Sequence, residues 1–453
     1  MSYCTAAFGA YDIRGIYPKT INEEIAYRIG RFFPSLFAAK KVVVGNDIRL
    51  SGPAIKNALM KGLVESGCDV IDIGQCGTEM IYFATAHLQL DGGVMITASH
   101  NPKEYNGMKF VRQGARPISG ETGLRDLEKQ VADGELPALA DIPGKIEVLD
   151  IIEDYVKHIL SYVDIAELKP LRVVVNAGNG SAGPILDVME KYLPFELVKV
   201  HHQPDGNFPN GVPNPLLPEN RDDTANAVRE SGADAGVAWD GDFDRCFMFD
   251  EQGNFIEGYY MVGFLAKAFL NKQAGEKIIY DPRLTWNTEE LVRENGGVPI
   301  MSKSGHAFIK EKMREENAVY GGEMSAHHYF RDFFYCDSGM IPWLLVLELL
   351  SKSSGKTLSN LMEERIQHYP CSGEINSKVK DADEVLAYIE HEYSAEGQVT
   401  KLDGLSVEFP DWRFNLRKSN TEPMLRLNVE ARDNEELMRR KTAELLRKIR
   451  EEH

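Results

Sequence analysis

The chain has no C-x-x-C pair, no membrane-length apolar run and no excess of positive charge, and each absence excludes something. Its six cysteines, at 4, 68, 76, 246, 336 and 371, are scattered. Thiols so spaced read as small buried hydrophobes in a reducing, cytoplasmic setting, not as a disulfide framework or a zinc site. The longest apolar run, IPWLLVLELL at 341–350, contains Glu348 and falls far short of the roughly 20 residues that span a bilayer. The opening MSYCTAAFGAYDIRG lacks a basic region followed by an apolar core, so no secretory leader is expected. Lys and Arg number 51 against 69 Asp and Glu, a formal net charge of -18. That balance argues against a broad nucleic-acid footprint or an anionic membrane surface. A small anionic substrate remains compatible with it, because a local cluster of basic side chains suffices to hold one.

What is present is a repeat. The chain's 453 residues are too many for one core, since domains run to roughly 100–200 residues. KKVVVGNDIRLSGP (40–53), LRVVVNAGNGSAGP (171–184) and EKIIYDPRLTWNTE (276–289) share one design. Each is a charged start, a strand-like run, a turn and a helix-like stretch, the signature of a parallel α/β layer. Second strand-like runs follow at 68–74, 195–201 and 297–302, and third runs end in GGVMITASHNP, AGVAWDGDFDR and AVYGGEMSAHHYF. Ligands of open parallel sheets gather at the carboxyl ends of the strands, so three related domains would bring three loops to one cleft. The remainder differs: LSVEF, WRFNL and MLRLNVEA read as alternating strands, and DNEELMRRKTAELLRKIREEH as an amphipathic helix. Divisions near 150, 252 and 366 give domains 1–150, 151–252, 253–366 and 367–453, three α/β and a C-terminal α+β.

The loops carry the chemistry. In DGDFDR, Asp240, Asp242 and Asp244 alternate, and on an extended backbone all three carboxylates point one way. Crowded carboxylates call for a hard cation, Mg²⁺, Mn²⁺ or Ca²⁺. An EF-hand is excluded because Arg245 stands where the turn glycine belongs. A hard cation suits phosphoryl transfer. In RKSNTEP, Arg417 offers a fork to phosphate, with Ser419, Asn420 and Thr421 as compact donors. In GEMSAHHYF, Glu323 and Ser325 alternate toward sugar hydroxyls, and His327 or His328 could move protons or contact phosphate. SKSGH sets Lys303 and His306 around Gly305, AYDIRG supplies Tyr11 and Arg14, and NGMKF supplies Lys109. Ser99 of ITASHNP is not in a G-x-S-x-G elbow. His100 is a catalytic candidate, yet neighbours on an extended backbone point to opposite sides, so spacing alone does not make it the base for Ser99. With a cation site and several phosphate-type loops, Ser99 reads as a phosphoryl carrier.

TASHNP, DGDFDR, GEMSAH and RKSNTEP, in this order, resemble the four signature loops of the α-D-phosphohexomutases, and the resemblance covers essentially the whole chain. It implies four domains around a central cleft, the first three with mixed, largely parallel sheets and the last with an antiparallel sheet. Ser99 would be the phosphoserine, holding Mg²⁺ through its phosphate together with Asp240, Asp242 and Asp244, and Arg245 would steady the transferring group. Glu323 and Ser325 would grip the hexose, and Arg417, Ser419, Asn420 and Thr421 the phosphate that is not transferred. Tyr11, Arg14, Lys109, Arg283, Lys303, Gly305, His306 and His327 fall in flanking motifs. The implied reaction interconverts hexose 6- and 1-phosphates through a 1,6-bisphosphate, which also serves as activator. Met324 stands where the glucosamine branch commonly has glutamine, so mannose phosphates are favoured, feeding GDP-mannose and surface polysaccharide synthesis, with glucose phosphates as an alternative. A serine-phosphate phosphatase and a non-catalytic sugar-phosphate sensor are the rival readings. The expected partners are small hexose phosphates only, with no nucleic acid and no membrane, and the protein is expected to be a monomer or weak homodimer.

Overall fold

The computed structural model describes residues 3–418 and 424–451. The repeat read in the sequence is a β-α-β-α-β unit. Its first copy runs through strand Lys41–Asn46, helix Gly52–Glu65, strand Asp69–Gln75, helix Thr78–His87 and strand Gly92–Ile96. The second copy runs through Arg172–Asn176, Ala182–Met189, Glu196–Val200, Asp222–Ser231 and Ala235–Trp239. The third runs through Lys277–Tyr280, Trp286–Glu294, Val298–Met301, His306–Glu316 and Tyr320–Gly322. In every copy the first strand lies between the other two, all parallel. Valines 42–44 and 173–175 are fully buried, as befits strands covered on both faces.

The connection leaving the first strand of each copy runs to one side and that leaving the adjacent third strand to the other, which makes their carboxyl ends a topological switch point where ligands bind. The third strand then turns into an antiparallel neighbour. Gly92–Ile96 pairs with Tyr105–Arg112, and Ala235–Trp239 pairs with Cys246–Phe249. TASHNP and DGDFDR are therefore the links between a parallel strand and an antiparallel one. The sheets are mixed, as expected.

The chain divides into two compact units, Met1–Phe255 with His327–Ser354, and Ile256–Ala326 with Gly355–His453. In the first, helices Glu23–Phe37 and Gly52–Glu65 cross at two glycines. A Cβ on Gly30 would sit 2.3 Å from the Leu59 carbonyl oxygen, and one on Gly62 2.3 Å from that of Tyr27. In the second unit, five antiparallel strands lie in the order Ile375–Lys378, Met424–Ala431, Trp412–Lys418, Leu405–Glu408, Gln398–Thr400. Phe414, Leu416, Leu425, Leu427 and Val429 form its apolar face, in one core with Val385, Ile389, Leu445 and Ile449 of helices Ala382–Tyr393 and Glu435–Glu451. Such burial is worth about 1.5–3 kcal/mol per large side chain. The alternate residues Arg413, Asn415, Asn428 and Glu430 are equally buried on the opposite face. Three of them bond to the third repeat and the chain before the sheet: Arg413 donates to the Pro282 and Arg283 carbonyls, Glu430 accepts the Thr285 amide at 2.8 Å, and Asn428 donates to Gly373. Asn415 donates to the Asp403 carbonyl and to Ser406.

Two expectations change. The C-terminal sheet has strands Ile375–Lys378 and Gln398–Thr400 and a helix between them that the sequence pattern did not reveal. Cys4 is exposed and Cys371 half-buried, while the other four cysteines are buried as read. Among the described residues no helix is long and apolar enough to cross a membrane.

Candidate active site

Ser99 is almost completely buried and sits in the left-handed region, φ 48°. This conformation overturns the extended-backbone assumption: Ser99 Oγ lies 3.0 Å from His100 Nδ1. The hydroxyl also donates to Asp240 Oδ2 at 2.7 Å. A non-glycine residue held there costs about 1–3 kcal/mol, and the surroundings compensate. Thr97 Oγ1 accepts the Ser99 amide at 2.8 Å and lies 2.6 Å from Asp47 Oδ2. Arg49, beside Asp47, donates to the carbonyls of Ser99, Asn101, Pro102 and Tyr105 at 2.6–2.8 Å. Burial pushes the Asp47 carboxyl up to about 6, against the pull of Arg49 and Thr97.

DGDFDR is a turn and not an extended loop: the Phe243 amide returns to the Asp240 carbonyl and Phe243 has φ 46°. The three aspartates nevertheless converge, with carboxylate oxygens within 4.8 Å of one another. All are fully buried. Thr78 donates to Asp242 Oδ2 at 2.6 Å, and Lys109 Nζ reaches Asp242 Oδ2 at 2.7 Å and Asp244 Oδ2 at 2.6 Å. Arg245 Nε stands 3.7 Å from Asp240 Oδ2. Two cations do not neutralise three carboxylates. Burial and the charges of Asp242 and Asp244 hold the Asp240 carboxyl well above its ordinary range, whereas at Asp242 burial is outweighed by Lys109 and Thr78, and it stays below. The second oxygen of each aspartate, Oδ1, is buried with no hydrogen-bond partner among the described residues. Three orphaned, convergent carboxylate oxygens fit a hard divalent cation.

Burial, with Arg245 and Arg14 nearby, pushes His100 well below the usual histidine range. Arg14 ties Asp12 at 2.8 Å and Asn101 of the Ser99 loop at 2.7 Å; Tyr11 is half-buried in the same segment. His327 Nδ1 lies 2.9 Å from Asp337 Oδ2 and 4.0 Å from Asp244 Oδ1. His328, in strand His328–Phe330, is buried and pushed down to about 3 by that burial and by His327. Of the pair, only His327 stands beside the aspartates.

The second unit gathers the other candidates. Asp281 fixes Arg283 through two bonds, Nε to Oδ1 at 2.9 Å and a terminal nitrogen to Oδ2 at 2.8 Å. Arg283 in turn reaches Glu323 at 3.4 Å and Ser325 at 3.2 Å. Glu323 also accepts the amide of Gly305 at 2.8 Å, and His306 opens the helix that follows. Lys303 is exposed, its ammonium 5.6 Å from the centre of the Phe308 ring. Arg417 donates to Glu374 at 3.0 Å. Ser419, Asn420 and Thr421 lie outside the described residues.

Sequence reading missed Asp47, Arg49, Thr78, Thr97, Asp337 and Glu374. A signal existed for the first two: NDIR follows the central strand Lys41–Asn46, the same carboxyl end that supplied the other loops. Comparison with protein families matches the four phosphoglucomutase/phosphomannomutase domains in order. Alpha/beta/alpha domains I, II and III match residues 5–137, 153–253 and 257–369, and the C-terminal domain matches 374–447. The chain belongs to the phosphoglucomutase/phosphomannomutase family. The likeness of the four signature loops to the phosphohexomutases is thereby borne out. A phosphomannomutase of Salmonella montevideo is 57% identical over 446 residues, covering 97% of this chain and 98% of that protein. A protein of Xanthomonas campestris pv. campestris, named for phosphohexose mutases, is 58% identical over 98% of this chain and 99% of its own length. Among solved structures, a phosphoglucomutase/phosphomannomutase family protein of Burkholderia thailandensis superposes with a TM-score of 0.87 at 34% identity, covering 98% of each chain.

Proposed function

We propose that this chain is a phosphomannomutase, interconverting mannose 6-phosphate and mannose 1-phosphate through phosphorylated Ser99 and a mannose 1,6-bisphosphate. The observation that carries it is Ser99 Oγ seated 2.7 Å from Asp240 within a buried triad of convergent aspartates. Mannose is supported by the names of relatives such as that of Salmonella. Asp240, Asp242 and Asp244 would hold Mg²⁺ together with the phosphate of Ser99. Bound there, the ion would supply charge stabilisation for the transferring phosphoryl group.

In the forward half-reaction the bond between Ser99 Oγ and phosphorus breaks as a sugar hydroxyl bonds to the same phosphorus. Arg245 and Lys109 steady the oxygens of that group, and His327, oriented by Asp337, is placed to handle the hydroxyl proton. In the return half, after the bisphosphate has turned end for end, Ser99 Oγ attacks its other phosphoryl group. The bond from that phosphorus to the sugar oxygen breaks, and the freed oxygen takes its proton from His327. The Ser99 proton passes to one of the two groups within reach, Asp240 Oδ2 or His100 Nδ1. Glu323 and Ser325 hold ring hydroxyls, Arg283, Gly305 and His306 shape that contact, and Arg417 with Ser419, Asn420 and Thr421 keeps the phosphate that is not moving. Arg14 acts with the catalytic group around Ser99, and Tyr11 and Lys303 complete the binding set. We take the domains as 1–150, 151–252, 253–366 and 367–453, the enzyme as cytoplasmic and a monomer or weak dimer, and a hexose 1,6-bisphosphate as its activator.

Phosphorus NMR of the protein with Mg²⁺ and a trace of hexose 1,6-bisphosphate tests the reading. Mannose 1-phosphate is expected to convert to the 6-phosphate faster than glucose 1-phosphate does, and Ser99→Ala should abolish conversion while still binding the sugar. Faster glucose turnover would make the enzyme a phosphoglucomutase. Inorganic phosphate without isomerisation would make it a hydrolase.

A further inference from the structure

The loops after the third strands of the first and third repeats are both tight turns with a non-glycine residue in the left-handed region. Ser99 has φ 48°, and the Asn101 amide bonds the Ala98 carbonyl; Ala326 has φ 68°, and its own amide bonds the Glu323 carbonyl. Such a conformation persists only where the surroundings over-determine it. In both repeats the central strand runs out into Asp-x-Arg-Leu, Asp47 to Leu50 and Asp281 to Leu284. In both, the carboxylate accepts the amide two residues on at 2.9 Å. At Ser99 the arginine does the holding, through four main-chain carbonyls. In the third repeat the carboxylate does. Asp281 Oδ2 accepts the amide of Met324, the residue between Glu323 and Ser325, at 2.9 Å. The same oxygen takes a terminal nitrogen of Arg283 at 2.8 Å, and that nitrogen reaches Glu323 at 3.4 Å and Ser325 at 3.2 Å. Asp281, Arg283, Glu323 and Met324 are all buried. The second repeat keeps the turn and lacks the charges: Asn176 accepts the Gly178 amide at 2.9 Å. A Cβ on Gly178 would lie 2.3 Å from that of Pro213, so an arginine has no room there.

We propose that Asp281 is the positioning residue of the turn that carries Glu323 and Ser325. It fixes the main chain of that turn through Met324 and the two side chains through Arg283, as Asp47 and Arg49 together fix the turn of Ser99. The inference rests on the reading of Glu323 and Ser325 as contacts for the sugar ring. Asp281 touches no sugar in that reading; it holds both contacts in place before the ligand arrives, so binding does not have to order them.

The test uses the full chain in a Ser99→Ala background, where nothing turns over. Mannose 1-phosphate is titrated calorimetrically into the parent, Asp281→Asn, Asp281→Glu, the pair Glu323→Gln with Ser325→Ala, and that pair combined with Asp281→Asn. Donors face both oxygens of Asp281, so whichever way Asp281→Asn turns, its NH₂ meets a donor. It is expected to weaken binding about tenfold or more, the scale of a charge-assisted hydrogen bond. Because Asp281 acts through the two contacts, the combined variant should bind no more weakly than the pair alone. Asp281→Glu keeps a charge for Arg283 and moves it by one methylene, so it should fold and lie between Asp281→Asn and the parent. It decides the matter should Asp281→Asn fail to fold. Parental binding by the pair would sink the sugar reading of the turn and this inference with it. A weakened pair alongside parental binding by a folded Asp281 variant would overturn the inference alone. So would losses that multiply in the combined variant, the mark of an effect outside the two contacts.

Discussion

Arg49 holds the main-chain carbonyl of Ser99 at 2.8 Å, and the same guanidinium holds those of Asn101, Pro102 and Tyr105. Four carbonyls on one buried fork leave the loop a single shape, the one in which Ser99 Oγ faces both Asp240 and His100.

Arg49→Met should therefore lower kcat with little change in KM for mannose 1-phosphate, since Arg49 touches none of the groups assigned to sugar or phosphate. Misplacement by about 1 Å can cost on the order of 100-fold in rate. Added guanidinium ion should restore part of the activity by refilling the site. A proportional rise in KM, or no rescue in a folded variant, would count against the positioning role.

The aspartate triad makes a prediction of opposite signs. Asp240 gains little from Arg245 at 3.7 Å and bears the charge of two neighbours. Without a cation, Asp240→Asn should be at least as stable as the parent, because a buried like-charge contact is removed. With Mg²⁺ the order should reverse. Saturation at about 100 times Kd adds roughly 2.7 kcal/mol to the parent, and Asp240→Asn should lose most of that gain. Thermal unfolding of chelator-treated protein, with and without Mg²⁺, checks both signs. Equal Mg²⁺ shifts in the two proteins would remove Asp240 from the metal site.

Much of this site was legible because its loops terminate strands of a repeated unit, where position and chemistry coincide. Ser99, the three aspartates and the pairing of Glu323 with Ser325 follow from that rule. What was not legible depends on backbone geometry and on contacts distant in sequence. Neither the left-handed turns at Ser99 and Phe243 nor the consequent meeting of Ser99 with His100 follows from alternation. Glu374 precedes a short strand with no sequence signature, and it acquires meaning only when the fold sets it against Arg417. Helix Ala382–Tyr393 carries its N-cap in Asp381, which accepts the amides of Asp383 and Glu384, a signal present but unremarked in so charged a stretch.

Glu79 is the buried clamp of the first unit. Its carboxylate accepts from Ser338 Oγ at 2.8 Å, from the amides of Gly339 and Met340 and from Tyr155. Helix Thr78–His87, helix Ile152–Leu160 and the start of helix Met340–Lys352 meet on this one side chain. Glu79→Gln turns an NH₂ toward a ring of donors, so it should destabilise by about 1–3 kcal/mol. Denaturant unfolding measures the loss, and a variant within a few tenths of parent would show that the clamp is dispensable.

His328 gives the pH prediction. It is buried in its strand and held at about 3 by burial and by His327, whereas an unfolded chain has a histidine near 6.5. Between those values the unfolded chain binds a proton that the folded protein does not. Stability contributed by neutral His328 is thus fully present above about pH 6.5 and is lost as pH falls through the window toward the folded value. Each pH unit within it removes about 1.4 kcal/mol per proton. His328→Asn cannot take up that proton, so its unfolding free energy should fall less steeply between about pH 6 and pH 4. Urea titrations across that range, on parent and variant, give the two slopes. Parallel lines would mean that His328 accepts its proton inside the fold, and burial would not be what sets its charge.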